Sequence, residues 1–543
     1  MKLIATCRRA LAQMDASSRV QQMVSRIWGT TCLLGCAMVT LSPNIASAIA
    51  FKEYKLTADI ELTQPIVSAN VLAAEGNELI VVGVDDQYQR WLIIYGYQNQ
   101  QLTQLDKLLL TNDLFRYDVY QADNDPQAHP NSEGAIQGLF FINADTLYQF
   151  VPSNAQQPSQ LVEVTQVSSI TQTSSADYIS RGRFALDINR DGLGDIVLSD
   201  FHQTHVLLGK ADGQLHSQSV PLKPIVEVTR SGAEYSRAEV FSSDMNFDNL
   251  SDLVKVGEGM LEVYFQQENG QFDPVPNYIS VSQPISGINW WNKRDAYGRQ
   301  LDQSDLLYRK VEQIKDMNGD GITDLVVRYT KSSGVFDRSN DYEVYLGQVQ
   351  QLSPDGAKTV NFGREAATVI KADGTLTGLR FSDLDNDNID EVVVSGFDVG
   401  VSQIIGALLS GSIDQDVYVF KMDNNNRFPS KANESKQVEL NFSLTSGQSG
   451  EPVVALGDLN GDSYKELILS DSDDKLKIYN GQSGKQPFSS KSSELSFTLP
   501  TEGSMLSVSD INSDGLDDLL VQYGRQDEKS LQRQLRVFIA EPK

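Results

Sequence analysis

Six stretches of this sequence share one local grammar, and nothing else in it limits the possible folds so strongly. They are FALDINRDGLGDIVLSD around Asp187, FSSDMNFDNLSDLVKVG around Asp244, IKDMNGDGITDLVVRYT around Asp316, FSDLDNDNIDEVVVSG around Asp383, ALGDLNGDSYKELILSD around Asp458 and SVSDINSDGLDDLLVQYG around Asp510. Their first aspartates lie 57, 72, 67, 75 and 52 residues apart. That period is too long for one turn of a solenoid and suits a unit of four short strands joined by loops of variable length. In each stretch an apolar or mixed strand runs into an acidic turn, and a Val/Leu/Ile-rich strand leaves it.

Third strands follow at 344–346, 417–420, 476–479 and 535–538, and more polar outer strands at 437–442 and 494–498. A gradient from apolar inner to polar outer strand fits a radial blade, so the spacing predicts an all-β propeller with four-stranded blades. Two further units without the acidic turn fit between 69 and 95 and between 115 and 150, giving seven or eight blades, with eight favoured. After the last turn only one strand is evident, and residues 54–62 can supply the missing outer strand and cover its open edge. The reading is then a signal segment at 1–48 and one propeller over 49–543. The alternative division sets 49–175 apart as a small β domain.

The acidic turns have the chemistry of a hard-cation site. In the first, Asp187, Asn189 and Asp191 stand at positions 1, 3 and 5, the carbonyl of Leu193 at 7 and Asp195 at 9. The same places are taken by Asp244, Asn246, Asp248, Leu250 and Asp252, and by Asp316, Asn318, Asp320, Ile322 and Asp324. The later turns present Asp383, Asp385, Asp387, Ile389 and Glu391, then Asp458, Asn460, Asp462, Tyr464 and Glu466, then Asp510, Asn512, Asp514, Leu516 and Asp518. Alternate positions of a tight loop converge six or more oxygens, a shell that Ca²⁺ tolerates better than Mg²⁺, so up to six calcium ions are expected. Position 6 calls for positive φ. Gly192 supplies it directly, Asn249 and Asn388 tolerate it, and Ser463 is a poorer fit that predicts a strained or weaker site. An EF-hand is excluded, because a strand begins right after position 9 and no glutamate stands at 12 between helices.

These turns, most plainly residues 316–324 and 458–462, resemble the FG-GAP/VCBS repeats of integrin α-subunit propellers and many exported bacterial proteins. The resemblance implies a propeller with calcium in the hairpin between strands 1 and 2 of each marked blade. It covers 181–543 well and 49–180 only by extension. It says little about biochemical function, because members include adhesion modules, lectin-like domains and polysaccharide lyases.

The first 48 residues read as an export signal: Lys2, Arg8, Arg9, Arg19 and Arg26 precede an apolar stretch at 28–41, and Ala46-Ser47-Ala48 suits cleavage. The lipobox-like Leu33-Leu34-Gly35-Cys36 offers lipid anchoring at Cys36 as a second route. All three cysteines lie in this segment, so the mature chain is read as thiol-free, periplasmic, cell-surface or secreted. A net charge of −27 argues against nucleic acid or an anionic membrane as partner, and no later stretch is apolar enough to span a membrane.

Propeller topology puts the acidic hairpins on one face and the 2–3 and inter-blade loops on the other. Two insertions belong to that second face. One holds Trp290, Trp291, Arg294, Asp295, Tyr297 and Arg299, and the other Phe336 and Arg338. Aromatic faces beside charged groups suit a sugar or peptide, although either tryptophan can equally staple its own loop. Residues 401–409 are expected in a loop between strands 2 and 3, as an adhesive apolar patch or packed over their own blade. The expected function is a protein- or glycan-binding or scaffold module with an extracytoplasmic protein or polysaccharide as partner. The alternative is a calcium-assisted carbohydrate-active enzyme such as a polysaccharide lyase, for which Arg294 and Arg299 lack a partnered base.

Overall fold

The structure is a computed structural model, and it describes residues 49–72, 76–120, 136–171, 179–229, 232–295, 297–334, 337–354, 356–372, 375–397, 412–443 and 448–542. The one helical element among them is the 3-10 turn Gly503–Met505. No helix among the described residues is long and apolar enough to cross a membrane.

Everything else of regular structure is strand, and the inner strands explain why the sequence runs are so apolar. In Asp195–Ser199 every residue is buried. Successive side chains of a strand point to opposite faces, so Ile196 and Leu198 pack with Phe140, Ile142 and Leu147 on one side, while Val197 packs with Leu253, Tyr264 and Phe272 on the other. A strand clamped between two neighbouring sheets must be apolar on both faces and therefore shows no alternation.

Eight four-stranded antiparallel blades result. Blade 1 is built on Glu61–Leu62 and Val67–Ala69, both paired to Glu78–Val84, followed by Arg90–Gln98 and Gln101–Leu110. Blade 2 contains Arg116–Val119, Leu139–Ile142, Thr146–Val151 and Gln160–Gln166, and blade 3 contains Ala185–Leu186, Asp195–Ser199, Thr204–Gly209 and Leu215–Val220. Blade 4 contains Val240–Ser243, Asp252–Val256, Met260–Tyr264 and Asn277–Ser280, and blade 5 contains Leu306–Lys315, Asp324–Gly334, Asp337–Tyr345 and Thr368–Ile370. Thr375–Ser382, Glu391–Phe397, Ser412–Phe420 and Glu434–Ser443 make blade 6, and Val454–Gly457, Glu466–Ser472, Lys475–Gly481 and Phe488–Ser496 make blade 7. Blade 8 takes Leu506–Ser509, Asp518–Gln522 and Gln534–Glu541 from the end of the chain and Ala50–Thr57 from its beginning.

Between each pair of neighbouring blades lies one apolar cluster, and the last joins blade 8 to blade 1 through Ile511, Leu520, Val537, Ile60, Leu79 and Val81. The ring is therefore closed, and Ala48–Lys543 is one compact unit. Eight replaces the choice between seven and eight. Residues 49–175 are not a separate domain, because their blades share cores with blades 8 and 3.

The closing strand is Ala50–Thr57 rather than 54–62: it pairs along its whole length with Gln534–Glu541, and Glu61–Leu62 already belongs to blade 1. Phe51 packs edge-on to Phe538, and the Tyr54 and Tyr97 hydroxyls meet at 3.0 Å. Deleting residues 49–57 is expected to lower Tm and to produce concentration-dependent association, since it bares the Gln534–Glu541 edge. Thermal melts and light scattering read both effects.

Two hairpins escaped the sequence reading: Ile225–Thr229 with Gly232–Ser236, and Gly347–Gln351 with Lys358–Phe362. The outer strand of blade 7 starts earlier than 494–498, at Phe488. Residues 1–48, the 401–409 loop and Phe336 lie outside the described residues.

Candidate metal-binding loops and ligand face

The six acidic turns fold alike. Each joins strands 1 and 2 of its blade, and its position-1 carboxylate accepts the N–H of position 6, from Gly192, Asn249, Gly321, Asn388, Ser463 or Gly515, at 2.7 to 2.9 Å. The position-5 carboxylate accepts the N–H of position 7 at 2.8 to 3.0 Å. Position 6 has positive φ in every loop, from 64° at Asn388 to 85° at Gly192, and Ser463 adopts 69°. Position 4, which drew no attention in the sequence, is left-handed too: Arg190, Phe247, Gly319, Asn386, Gly461 and Ser513 lie between 54° and 73°. Two left-handed residues two apart turn the chain tightly enough to aim positions 1, 3 and 5 inward, and at Arg190, Phe247 and Ser513 this is bought with strain.

Position 9 is the anchor. Asp195, Asp252, Asp324, Glu466 and Asp518 are wholly buried, and Glu391 nearly so. Each accepts the position-2 N–H at 2.8 to 3.1 Å. In five loops the second oxygen accepts an N–H from strand 3 or just beyond it, from Gly209, Gln266, Gly347, Gly481 or Ala540, at 2.7 to 3.3 Å. Burial pushes these carboxyls up, to about 8 for Asp195 and about 7 for the other five; loop aspartates add to the shift and the N–H bonds offset part of it. A carboxylate oxygen has two lone-pair directions, so capacity for a cation remains.

At position 3 the Asn189, Asn246, Asn318 and Asn512 amide nitrogens donate to the position-5 carboxylate at 2.8 to 3.1 Å, and Asn460 donates to Glu466. Turning that amide over replaces its N–H with an oxygen. The donor set is thus three carboxylates, an amide oxygen and a backbone carbonyl, which fits Ca²⁺. The Asp383 loop differs: Lys421 Nζ donates to Asp385 and lies 3.3 Å from Asp387 Oδ2 and 3.2 Å from Glu391 Oε1.

Blade 1 has the same anchor without the ligands. Glu78 is buried and accepts the N–H groups of Val71 and Leu72 at 2.7 and 3.1 Å. Its signal was legible, an acidic residue opening the apolar run 78–82, as Glu391 opens 391–394.

Position 8 links successive loops. Thr323 Oγ1 donates to the Asp244 carbonyl, Lys315 pairs with Asp390, the Lys465 N–H reaches the Leu384 carbonyl, and Asp517 accepts the Asp458 N–H at 2.8 Å.

The two aromatic insertions meet at the opposite end of blade 5. Pairing of Lys315 with Asp324 marks the acidic-loop end and pairing of Leu306 with Ser332 the other, roughly 26 Å away at the rise of an extended strand. Arg338 lies over the Trp290 ring at 5.9 Å and Arg328 over Trp291 at 5.5 Å, and the two indoles meet edge to face. Trp290 is 7% exposed and takes the stapling role; Trp291 at 43% and Tyr297 at 79% are open. Asp295 ties the turn by accepting the N–H groups of Tyr297 and Arg299 and pairing with the Arg299 guanidinium, which stacks on Tyr297. Arg294 reaches back to the Trp291 carbonyl. Beside them a groove of about 690 Å³ runs between this turn and the Ile225–Ser236 hairpin, lined by Glu227, Lys255, Glu258, Lys293, Arg294 and Tyr297 among others.

Residues 458–521 match the model of an FG-GAP-like repeat. No curated protein matches the sequence significantly. Among solved structures the chain is similar to an Agrocybe aegerita lectin described as recognising non-reducing terminal N-acetylglucosamine (15% identity, 83% of this chain and 96% of that one, TM-score 0.36). It is also similar to the V. cholerae biofilm matrix protein Bap1 (12%, 91% and 91%, 0.35) and to Saccharomyces cerevisiae Sqt1 (8%, 91% and 99%, 0.37). The resemblance to FG-GAP-like repeats thus holds at 458–521, the stretch with the Asp458 and Asp510 loops, within an all-β propeller of eight four-stranded blades.

Proposed function

We propose that this is an exported, calcium-binding propeller that serves as a binding or scaffold module for an extracytoplasmic protein or polysaccharide. The observation that carries the reading is the single carboxylate geometry repeated at the same end of six consecutive blades, with a buried carboxyl anchor in each. Calcium there stiffens one face. The opposite face offers the groove beside Trp291 and Tyr297, whose mixed charges and open rings suit a polar, extended ligand. Export rests on the basic and apolar character of residues 1–48.

The test is retention of envelope proteins and polysaccharides by mature protein, in calcium and in EDTA. Calcium-dependent retention without new reducing or unsaturated ends supports the binding reading; release of such ends makes the protein an enzyme. Trp291→Ala combined with Tyr297→Ala is expected to cut retention at least tenfold, about 1.4 kcal/mol, while the calcium-induced rise in Tm is unchanged. Equal loss of both would show that the two faces are not independent.

A further inference from the structure

We infer that Lys421 is a built-in counter-ion occupying the cation position of the blade 6 loop, so that this loop is held closed by an ammonium group and takes no calcium while the other five do. The inference rests on the calcium reading only for the five.

The registers of the six marked blades locate the substitution. The residue after position 9 pairs with Leu207, Tyr264, Tyr345, Phe420, Tyr479 and Phe538 of the respective third strands. The next residue is Leu208, Phe265, Leu346, Lys421, Asn480 and Ile539, so blade 6 alone has a charge there. Blade 6 is also the one marked blade with aspartate rather than asparagine at position 3. Four carboxylates less one ammonium leave −3 at the ligand positions, the same as three carboxylates in each other loop, so the two departures compensate each other.

The geometry places that ammonium in the middle. It contacts Asp385, Asp387 and Glu391, at positions 3, 5 and 9, the side chains a metal would have to gather. Asp383, Asp385 and Glu391 each bring an oxygen to within 4.8 Å of the others, the one such acidic trio among the described residues. In the other loops position 3 is an asparagine, so no such trio stands at positions 1, 3 and 9. Calcium entering blade 6 would have to expel a tethered cation, whereas the other loops have to turn over an asparagine amide and, in four of them, give up its bond to the position-5 N–H.

The experiment counts calcium by equilibrium dialysis and elemental analysis at millimolar free calcium, alongside melts in EDTA. Asp385→Asn with Lys421→Leu gives blade 6 the residues of its neighbours and is expected to bind one more ion than the unmodified protein. Asp387→Asn should remove that gained ion and leave the unmodified protein's count unchanged. Loss of an ion from the unmodified protein on Asp387→Asn, or no gain in a folded double variant, overturns the inference. In EDTA, Lys421→Leu alone should lower Tm and addition of Asp385→Asn should restore it; an unchanged Tm for Lys421→Leu overturns the counter-ion role. If no form binds calcium, the calcium reading fails and the EDTA melts still decide the role of Lys421.

Discussion

Mature protein stripped with EDTA is expected to melt far below the same protein in millimolar calcium. A ligand bound only by the folded state adds about 2.7 kcal/mol at a hundredfold excess over its Kd, so five ions would contribute on the order of 13 kcal/mol. That compares with a typical total stability of about 5 to 15 kcal/mol. The pH dependence should differ as well. Burial raises the position-9 carboxyls to about 7 or 8, so the metal-free folded chain holds protons that the unfolded chain releases. Between about pH 4 and 8 the metal-free protein therefore loses stability as pH rises. Calcium bound to the deprotonated loops, as proposed above, should abolish or reverse this slope. Scanning calorimetry across that range, with and without calcium, checks both statements; identical curves would remove any structural part for a cation.

Asp324→Ala should be among the most damaging single substitutions. It leaves the N–H groups of Met317 and Gly347 buried without their acceptor, at about 1 to 3 kcal/mol each, and it also removes one of the proposed calcium ligands. Asp324→Asn separates the two roles. It has an acceptor for one N–H and eases the repulsion with Asp316 and Asp320, so its loss in EDTA should be much smaller than that of Asp324→Ala. Its gain from calcium should still shrink. A loss in EDTA as large as that of Asp324→Ala would mean that the second N–H bond outweighs the relief of charge.

The parts of this architecture that depend on a few adjacent residues were readable. Positive φ at position 6 followed from glycine and asparagine there, and held even at Ser463, because the N–H of that residue has one acceptor within reach, the position-1 carboxylate. Blade spacing followed from the loops. What depended on partners remote in sequence was not readable. The closing strand begins at Ala50 because Glu541 and its neighbours set the register, and residues 54–62 alone do not contain that information. The hairpin strand Ile225–Thr229 alternates Val226 and Val228 with polar residues, a period-two strand signal that lies apart from the acidic repeats. Likewise Lys421 lies 30 residues after Glu391, and only the antiparallel return of strand 3 brings the two together.

The pairing of Ala50–Thr57 with Gln534–Glu541 also sets the order of events in folding. Contacts between residues so far apart in sequence form late, because the chain between them must first be gathered. Closing an unstructured loop of that length costs about 5 kcal/mol in entropy, and the cost falls as intervening blades stack and shorten the free path. Partly assembled molecules should accordingly be open arcs with a bare strand at one end, exposed to proteolysis and to pairing with one another. Loops that close early within single hairpins would shorten the lifetime of such arcs. Refolding that is slow in EDTA and accelerated by calcium would reveal the closure step in the kinetics.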